Sequence, residues 1–358
     1  MSEYLYPVRR NRRDFLAAAG AMAATVGLGG LSSAREAEET VLGEGSCRFR
    51  LDNAWGKLPA GKKYGLGCAI VVDSQDRVIV TSRSNDPCVA IFDKTGKLVE
   101  TWAKDFATKI GYDTTGQVSA TAHGLYLSNE GGTDFLYWTE NVAKQGDKRT
   151  GARVYKTDMQ GKVLYTLGNV AEDSATTQKL DLTNPTDVAV APNGDIYIVD
   201  GYGSQKVYRF SKDFKKLATI GGPGKEHGKF STCHGVWVST LRKDPEVYIA
   251  DRANGRLEVF SPELEYKRTV EGFRMPCCLY QQGGRLYVPE LGARVSVLDE
   301  NDKLVSRLGD GEGLGDDDLK EHQGMFSKPH ALTLDSKGNL FVLEWLPHGR
   351  VRKFSPIS

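Results

Sequence analysis

The chain is poor in the residues from which small functional sites are most often built. Its 358 residues hold only six histidines, six cysteines and five methionines. It also lacks an excess of charge of either sign, with 47 Lys+Arg against 46 Asp+Glu. That balance gives no electrostatic footprint for nucleic acid or for an anionic lipid surface. After the first 35 residues no apolar run is long enough to cross a bilayer, which excludes a polytopic membrane protein. There is no Gly-x-Ser-x-Gly elbow and no P-loop, so hydrolase-elbow and nucleotide-triphosphate chemistry lack their motifs. The cysteines (Cys47, Cys68, Cys88, Cys233, Cys277, Cys278) fall at spacings that match no zinc ribbon. Glycine, by contrast, is abundant at 40 residues, and aromatic and β-branched residues run evenly to the C-terminus, which excludes a disordered chain.

The N-terminus reads as an export signal. Residues 9–16 are Arg-Arg-Asn-Arg-Arg-Asp-Phe-Leu, followed by an Ala/Gly-rich stretch to Leu31 and the small residues Ser32-Ser33-Ala34. A basic n-region, a mild apolar region and a small-residue cleavage site form that pattern. Arg12-Arg13 followed by Phe15-Leu16 gives it the twin-arginine type, so residues 1–34 are expected to be removed and the protein to be periplasmic or extracellular. Their loss takes away four arginines and two acids, leaving 43 basic against 44 acidic residues. In such an oxidising compartment one or two disulfides are plausible, although a bond between the adjacent Cys277 and Cys278 would be strained.

Residues 35–358 repeat. One unit is Asn184-Pro185-Thr186-Asp187-Val188-Ala189-Val190, an Asn193-Gly194 turn, Ile196–Asp200, Lys206–Phe210 and Leu217–Ile220. Alternating apolar residues and the Asn-Gly turn make this four antiparallel strands. Taking Cys68, His123, Thr186, His234, Cys277 and His330 as equivalent anchors gives intervals of 55, 63, 48, 43 and 53 residues. Four strands at such a period mark an all-β, six-bladed β-propeller in a single domain. The last unit ends at Phe354-Ser355-Pro356 with three strands, and the segment Phe49–Trp55 is expected to supply the fourth and close the ring.

Three of the six histidines, His123, His234 and His330, occupy the same place, the start of a blade's innermost strand. Their blades are the second, fourth and sixth, so pseudo-symmetry sets them about 120° apart around the channel axis. Three neutral imidazoles with a fourth position open is the donor set of catalytic zinc. His227, His322 and His348 fall in polar loops and are expected to be solvent-exposed. Acids recur at second-strand ends (Glu140, Asp200, Asp251, Glu290, Glu344), which favours a structural role as acceptors of backbone donors. Glu290 and Glu344 are in addition candidates to support the ligand histidines from behind. Gly221-Gly222-Pro223-Gly224 reads as a blade-connecting turn.

The segments Asp200-Gly201-Tyr202, Gly228 to Val236 through Cys233-His234, Ala250-Asp251-Arg252-Ala253-Asn254-Gly255-Arg256 and Lys328-Pro329-His330 resemble peptidyl-α-hydroxyglycine α-amidating lyase. That family is a six-bladed propeller of NHL-repeat type with zinc in its channel, and it cleaves a C-terminal α-hydroxyglycine to a peptide amide and glyoxylate. The resemblance implies His123, His234 and His330 as zinc ligands, Tyr202 as the catalytic tyrosine, and Arg252 and Arg83 as active-site arginines. It further implies that an arginine-flanked tyrosinate takes the substrate hydroxyl proton while guanidinium groups hold the substrate carboxylate. The chain departs from the family at two places: Ala331 stands where an acid helps hold a structural calcium, so calcium is not expected, and Gly203 replaces a half-cystine. Among its 358 residues no segment resembles a copper monooxygenase module, and none is expected. A small-molecule or peptide substrate and a monomer are expected. Two further functions fit the same blades: a non-catalytic NHL-repeat propeller that binds a peptide or cell-envelope ligand, and a metal-dependent hydrolase or lactonase.

Overall fold

Alternation of apolar and polar residues over four to six positions produces strands too short to bury a core alone, so they must stack as sheets around an axis. The computed structural model describes residues 39–145, 148–314 and 324–357; the proposed export signal, residues 1–34, lies outside the described residues, as does His322. It is a six-bladed β-propeller. Blade 1 spans the strands from Gly67–Val72 to Leu98–Trp102, and blade 2 those from Ala122–Glu130 to Val163–Gly168. Blade 3 runs from Asp187–Val190 to Lys216–Gly221, blade 4 from Cys233–Ser239 to Tyr266–Glu271, and blade 5 from Tyr280–Gln282 to Leu304–Leu308. Blade 6 begins with Pro329–Leu334.

Closure occurs where the repeat pattern placed it. The third strand of blade 6, Arg350–Pro356, pairs with Phe49–Asp52, with Leu51 opposite Phe354. A further short strand, Val41–Leu42, adds outside it through Leu42 opposite Phe49.

One turn chemistry serves hairpin after hairpin. Asp93 accepts the backbone N–H groups of Thr95 and Lys97, and Gly96 beyond it takes φ +89°. Asp158 with Gly161, and Asp335 with Gly338, repeat the arrangement. An acidic side chain that mimics a backbone acceptor, followed by a left-handed residue, is the local reason these strands reverse where they do.

Among the described residues, buried apolar side chains gather into six clusters, one at each blade-to-blade contact. Ile79, Leu136 and Trp138 pack between blades 1 and 2; Phe341, Val80 and Trp55 pack between blades 6 and 1. Stability is therefore distributed around the ring. Four additions fall outside the repeat pattern: helices α1 (Lys104–Lys109) and α2 (Thr115–Thr121) before blade 2, a hairpin of Ala143–Gln145 and Lys148–Thr150, and a parallel outer strand Thr177–Lys179. Helix α2 starts at a Thr114/Gln117 capping box and runs directly into Ala122-His123.

The six cysteines are all free, five of them buried. The disulfides entertained from the sequence are thus not present. The packing of the seam is directly testable. Phe354 is fully buried between the strands that close the ring, so Phe354→Ala should lower unfolding free energy by about 3–5 kcal/mol. Chemical denaturation followed by tryptophan fluorescence would measure it.

Candidate metal centre and active-site rim

Four of the six inner strands carry a β-bulge at the anchor. The pairing register skips at Cys68 in blade 1, at His123 in blade 2, at His234 in blade 4 and at His330 in blade 6. A bulge re-aims a side chain at the end of a strand, and in three blades the re-aimed group is an imidazole. The rings of His123 and His234 lie 4.8 Å apart between centroids, His234 and His330 5.0 Å, and His123 and His330 5.2 Å.

The inward-facing nitrogens are fixed by what the other nitrogens do. His123 Nδ1 lies 2.6 Å from the carbonyl oxygen of Thr186, His234 Nδ1 2.8 Å from that of Cys277, and His330 Nδ1 2.7 Å from that of Cys68. A carbonyl only accepts, so each Nδ1 carries the proton and each Nε2 keeps its lone pair. Thr186, Cys277 and Cys68 are the anchor residues of the three remaining blades. The six anchors thus alternate, imidazole donor and peptide acceptor, around the ring. Gly124 and Gly235 make room for two of these bonds, since a Cβ there would stand 2.6 Å from Thr186 O and 2.2 Å from Cys277 O.

Burial, the neighbouring imidazoles and the Arg252 guanidinium hold His123 and His234 neutral, far below the usual histidine range, and Arg83 adds to this at His123. His330 is pushed down to about 3, chiefly by burial. One ligand nitrogen from each ring lies within 4.8 Å of the others, and all three residues are buried. The His330 Nε2 is buried without a hydrogen-bond partner, a cost that a metal ion would remove. Three neutral imidazoles, each oriented by a carbonyl behind it, fit a metal. The donor set would hold one.

Above the triad the structure brings Tyr202, Arg252 and Arg83 together. The Tyr202 hydroxyl lies 3.1 Å from His234 Nε2 and 3.4 Å from His123 Nε2, and it accepts a hydrogen bond from Arg252 Nη1 at 3.0 Å. Tyr202 is 36% exposed, while its hydroxyl lies among these partners. Burial raises the phenol pKa and Arg252 pulls against that rise. Gly201 sets the turn: a Cβ there would stand 1.8 Å from the Cys233 carbonyl oxygen, one residue before His234. Arg83 Nη2 donates to Asn141 Oδ1 at 2.7 Å and Nε to Ala122 O at 3.3 Å, and its guanidinium lies 5.0 Å from the centre of the Trp345 ring. Trp345 in turn packs 4.8 Å from His330.

Asn141 and Trp345 were missed from the sequence, yet a signal existed. Second strands end at Ser82, Glu140, Asp251 and Glu344, and the next residues are Arg83, Asn141, Arg252 and Trp345. The rim is one repeat position.

The terminal acids are structural, as expected. Asp200 accepts the N–H groups of Thr183 and Asn184, Asp251 that of Ser231, and Glu344 that of Ser327. Glu290 accepts Arg274 N and pairs with Arg294. Support of the histidines by Glu290 and Glu344 is overturned, because backbone carbonyls fill that role. Arg252 makes no ion pair with Asp251, which binds Arg256 instead. His227 and His348 are exposed. A cavity of about 220 Å³ follows the inner strands away from the rim; His123, His234 and His330 line it together with Asp187, Tyr126, Trp237 and Tyr280, but none of Tyr202, Arg252, Arg83 and Trp345 does. Burial raises Asp187 to about 7 there.

No protein-family model matches the chain. NHL repeat-containing protein 3 of Mus musculus is 29% identical over 223 residues, 60% of this chain and 57% of that protein. A probable peptidyl-α-hydroxyglycine α-amidating lyase of Caenorhabditis elegans is 28% identical over 193 residues, 52% of this chain and 47% of that protein. The chain is similar to NHL-repeat proteins and to amidating lyases. It spans about half the length of these curated relatives. Among solved structures, a streptogramin B lyase superposes with a TM-score of 0.54 at 12% identity, covering 86% of this chain and 97% of that one. A gluconolactonase of Xanthomonas campestris gives 0.53 at 14%, covering 86% and 90%. These two likenesses are of fold. Among the described residues no helix is long and apolar enough to cross a membrane.

Two expectations follow. In the metal-free protein the buried histidines stay neutral while the unfolded chain protonates near pH 6.5, so acid favours unfolding. Stability should fall as pH drops below about 6.5, with the His330 contribution growing until pH reaches about 3. Thermal unfolding at pH 7, 5.5 and 4.5 would show it, and His330→Phe should flatten the slope. Gly201→Ala should cost roughly 1–3 kcal/mol by overpacking against the Cys233 carbonyl, read by the same method.

Proposed function

We propose that this chain is an exported zinc-dependent lyase that cleaves an α-hydroxyglycine-like carbinolamide to an amide and glyoxylate. The observation that carries the proposal is the Tyr202 hydroxyl, bridged between Arg252 and two imidazoles of a three-histidine donor set. Similarity to the amidating lyases supports the reaction class, and the twin-arginine pattern in residues 1–34 supports export to the periplasm or beyond.

His123, His234 and His330 would hold the metal. A metal bound there supplies positive charge and Lewis acidity beside the substrate hydroxyl. The rest falls to the chain's own groups. Arg83 is the carboxylate binder, because its guanidinium still has N–H groups to offer after Asn141 and Ala122 are satisfied. Arg252 donates to the Tyr202 oxygen and so favours its deprotonated form against burial. Tyr202 takes the hydroxyl proton, the carbon–oxygen bond becomes a carbonyl, the carbon–nitrogen bond breaks, and the amide nitrogen receives a proton. Atoms balance with no co-reactant. A purely ligand-binding propeller gives no reason for a buried Nε2 lone pair facing a tyrosine.

Mature protein from residue 35, assayed for glyoxylate release from an N-acyl-α-hydroxyglycine, tests the proposal. Turnover should vanish with a chelator, return with zinc, and fall roughly 100- to 10,000-fold in Tyr202→Phe. Zinc-replete protein that releases no glyoxylate would overturn the substrate assignment, and chelator-resistant turnover would overturn the metal's role.

A further inference from the structure

The Arg83 guanidinium is held from a direction that nothing in the triad requires. Asn141 sits on the adjacent blade, at the rim position one residue past a second strand, and is only 4% exposed. All of its polar groups toward the site are committed. Its Nδ2 donates to the carbonyl of Pro185 at 2.8 Å, its backbone N–H donates to Thr121 at 2.7 Å, and its Oδ1 accepts Arg83 Nη2 at 2.7 Å. The amide cannot be turned over, because a carbonyl at Pro185 needs a donor and a guanidinium needs an acceptor. Pro185 is the neighbour of Thr186, whose carbonyl orients His123. One side chain therefore ties the arginine on blade 1 to the strand that sets a metal ligand on blade 2. Trp345 covers the guanidinium from blade 6. The buried Cys68 thiol also lies against the guanidinium.

We infer that Asn141 is the positioning residue for Arg83, locking its guanidinium so that the free N–H edge meets the substrate carboxylate in one orientation. This rests on the proposed reading only for the identity of the carboxylate compound. An arginine left to sample rotamers would lose entropy on each binding event and would present its fork at varying distances from the triad. Asn141 removes that freedom beforehand. It touches neither substrate nor metal, so its effect belongs in carboxylate affinity and passes through Arg83.

The test is calorimetric titration of zinc-loaded protein with N-acetylglycine, an unreactive carboxylate that lacks the hydroxyl. Asn141→Ala should weaken Kd roughly 10- to 100-fold, the scale of a hydrogen bond to a charged group, with metal content unchanged. Asn141→Asp should weaken it at least as much, because its carboxylate competes for the guanidinium. In an Arg83→Ala background, Asn141→Ala should add nothing. The inference falls if a folded Asn141 variant binds as the wild type does, if the loss persists undiminished without Arg83, if the wild type binds no N-acetylglycine, or if neither variant folds. Should the wild type bind through Asn141 and Arg83 yet release no glyoxylate from the hydroxylated substrate, the lyase proposal falls and the positioning role stands. Turnover with an affinity indifferent to Asn141 gives the opposite result: the lyase stands and the positioning role falls.

Discussion

An imidazole can face a metal, a proton or a carbonyl with either nitrogen, and left alone it will exchange among them. In this propeller the choice is taken away by three hydrogen bonds from Nδ1–H groups to peptide carbonyls, each donor in one blade and each acceptor in the next. Everything at the centre depends on that alternation. It fixes the tautomer and turns the lone pairs inward, while burial keeps the three bases neutral where a charge would be costly. Because the acceptors are main chain, the geometry of the site is the geometry of the ring itself. A blade that rotates moves a carbonyl, and with it an imidazole.

The second strands build the site's upper storey by the same economy of position. The terminal acids Asp200, Asp251, Glu290 and Glu344 anchor connecting loops through backbone N–H groups, and Glu140 binds the Arg153 guanidinium. In four blades the residue after the second strand stands at the rim. Arg252, Asn141 and Trp345 follow Asp251, Glu140 and Glu344 in this way, and Arg83 follows Ser82 at the same place in blade 1. A repeat that places one side chain per blade at one height gives a hexagon of candidate groups, and chemistry needs only some of them. Blade 3 shifts by one: Gly201 takes the rim position so that Tyr202 can reach His123 and His234.

The sequence was legible where a repeat position carries a distinctive residue type. Strand alternation, the Asn193-Gly194 turn and the anchor spacing specify six blades; the three-stranded last unit points to the segment Phe49–Trp55 as the closing strand, of which Phe49–Asp52 pairs; half of the histidines on equivalent positions point to the triad. What lay outside was of two kinds. The acceptors behind the histidines are carbonyls, which have no residue signature, so carboxylates such as Glu290 and Glu344 stood in for them. Asn141 and Trp345 are ordinary residue types, and only the repeat register marks them. Helices α1 and α2 are six and seven residues long, too short to show a helical period. The cysteine pattern gave no connectivity because the six thiols are free, five of them buried.

Joining Phe49–Asp52 to Arg350–Pro356 has a kinetic side. The contact spans about three hundred residues of sequence, so the loop-closure entropy for that seam is paid late, after the intervening blades exist to bring the ends near. Until then the third strand of blade 6 and the early segment both present open edges, the kind that pair with other chains. Assembly order is thereby written into topology. The histidine triad draws on blades 2, 4 and 6, so its last imidazole comes with the blade that seals the ring, and an open propeller lacks the complete set of three donors.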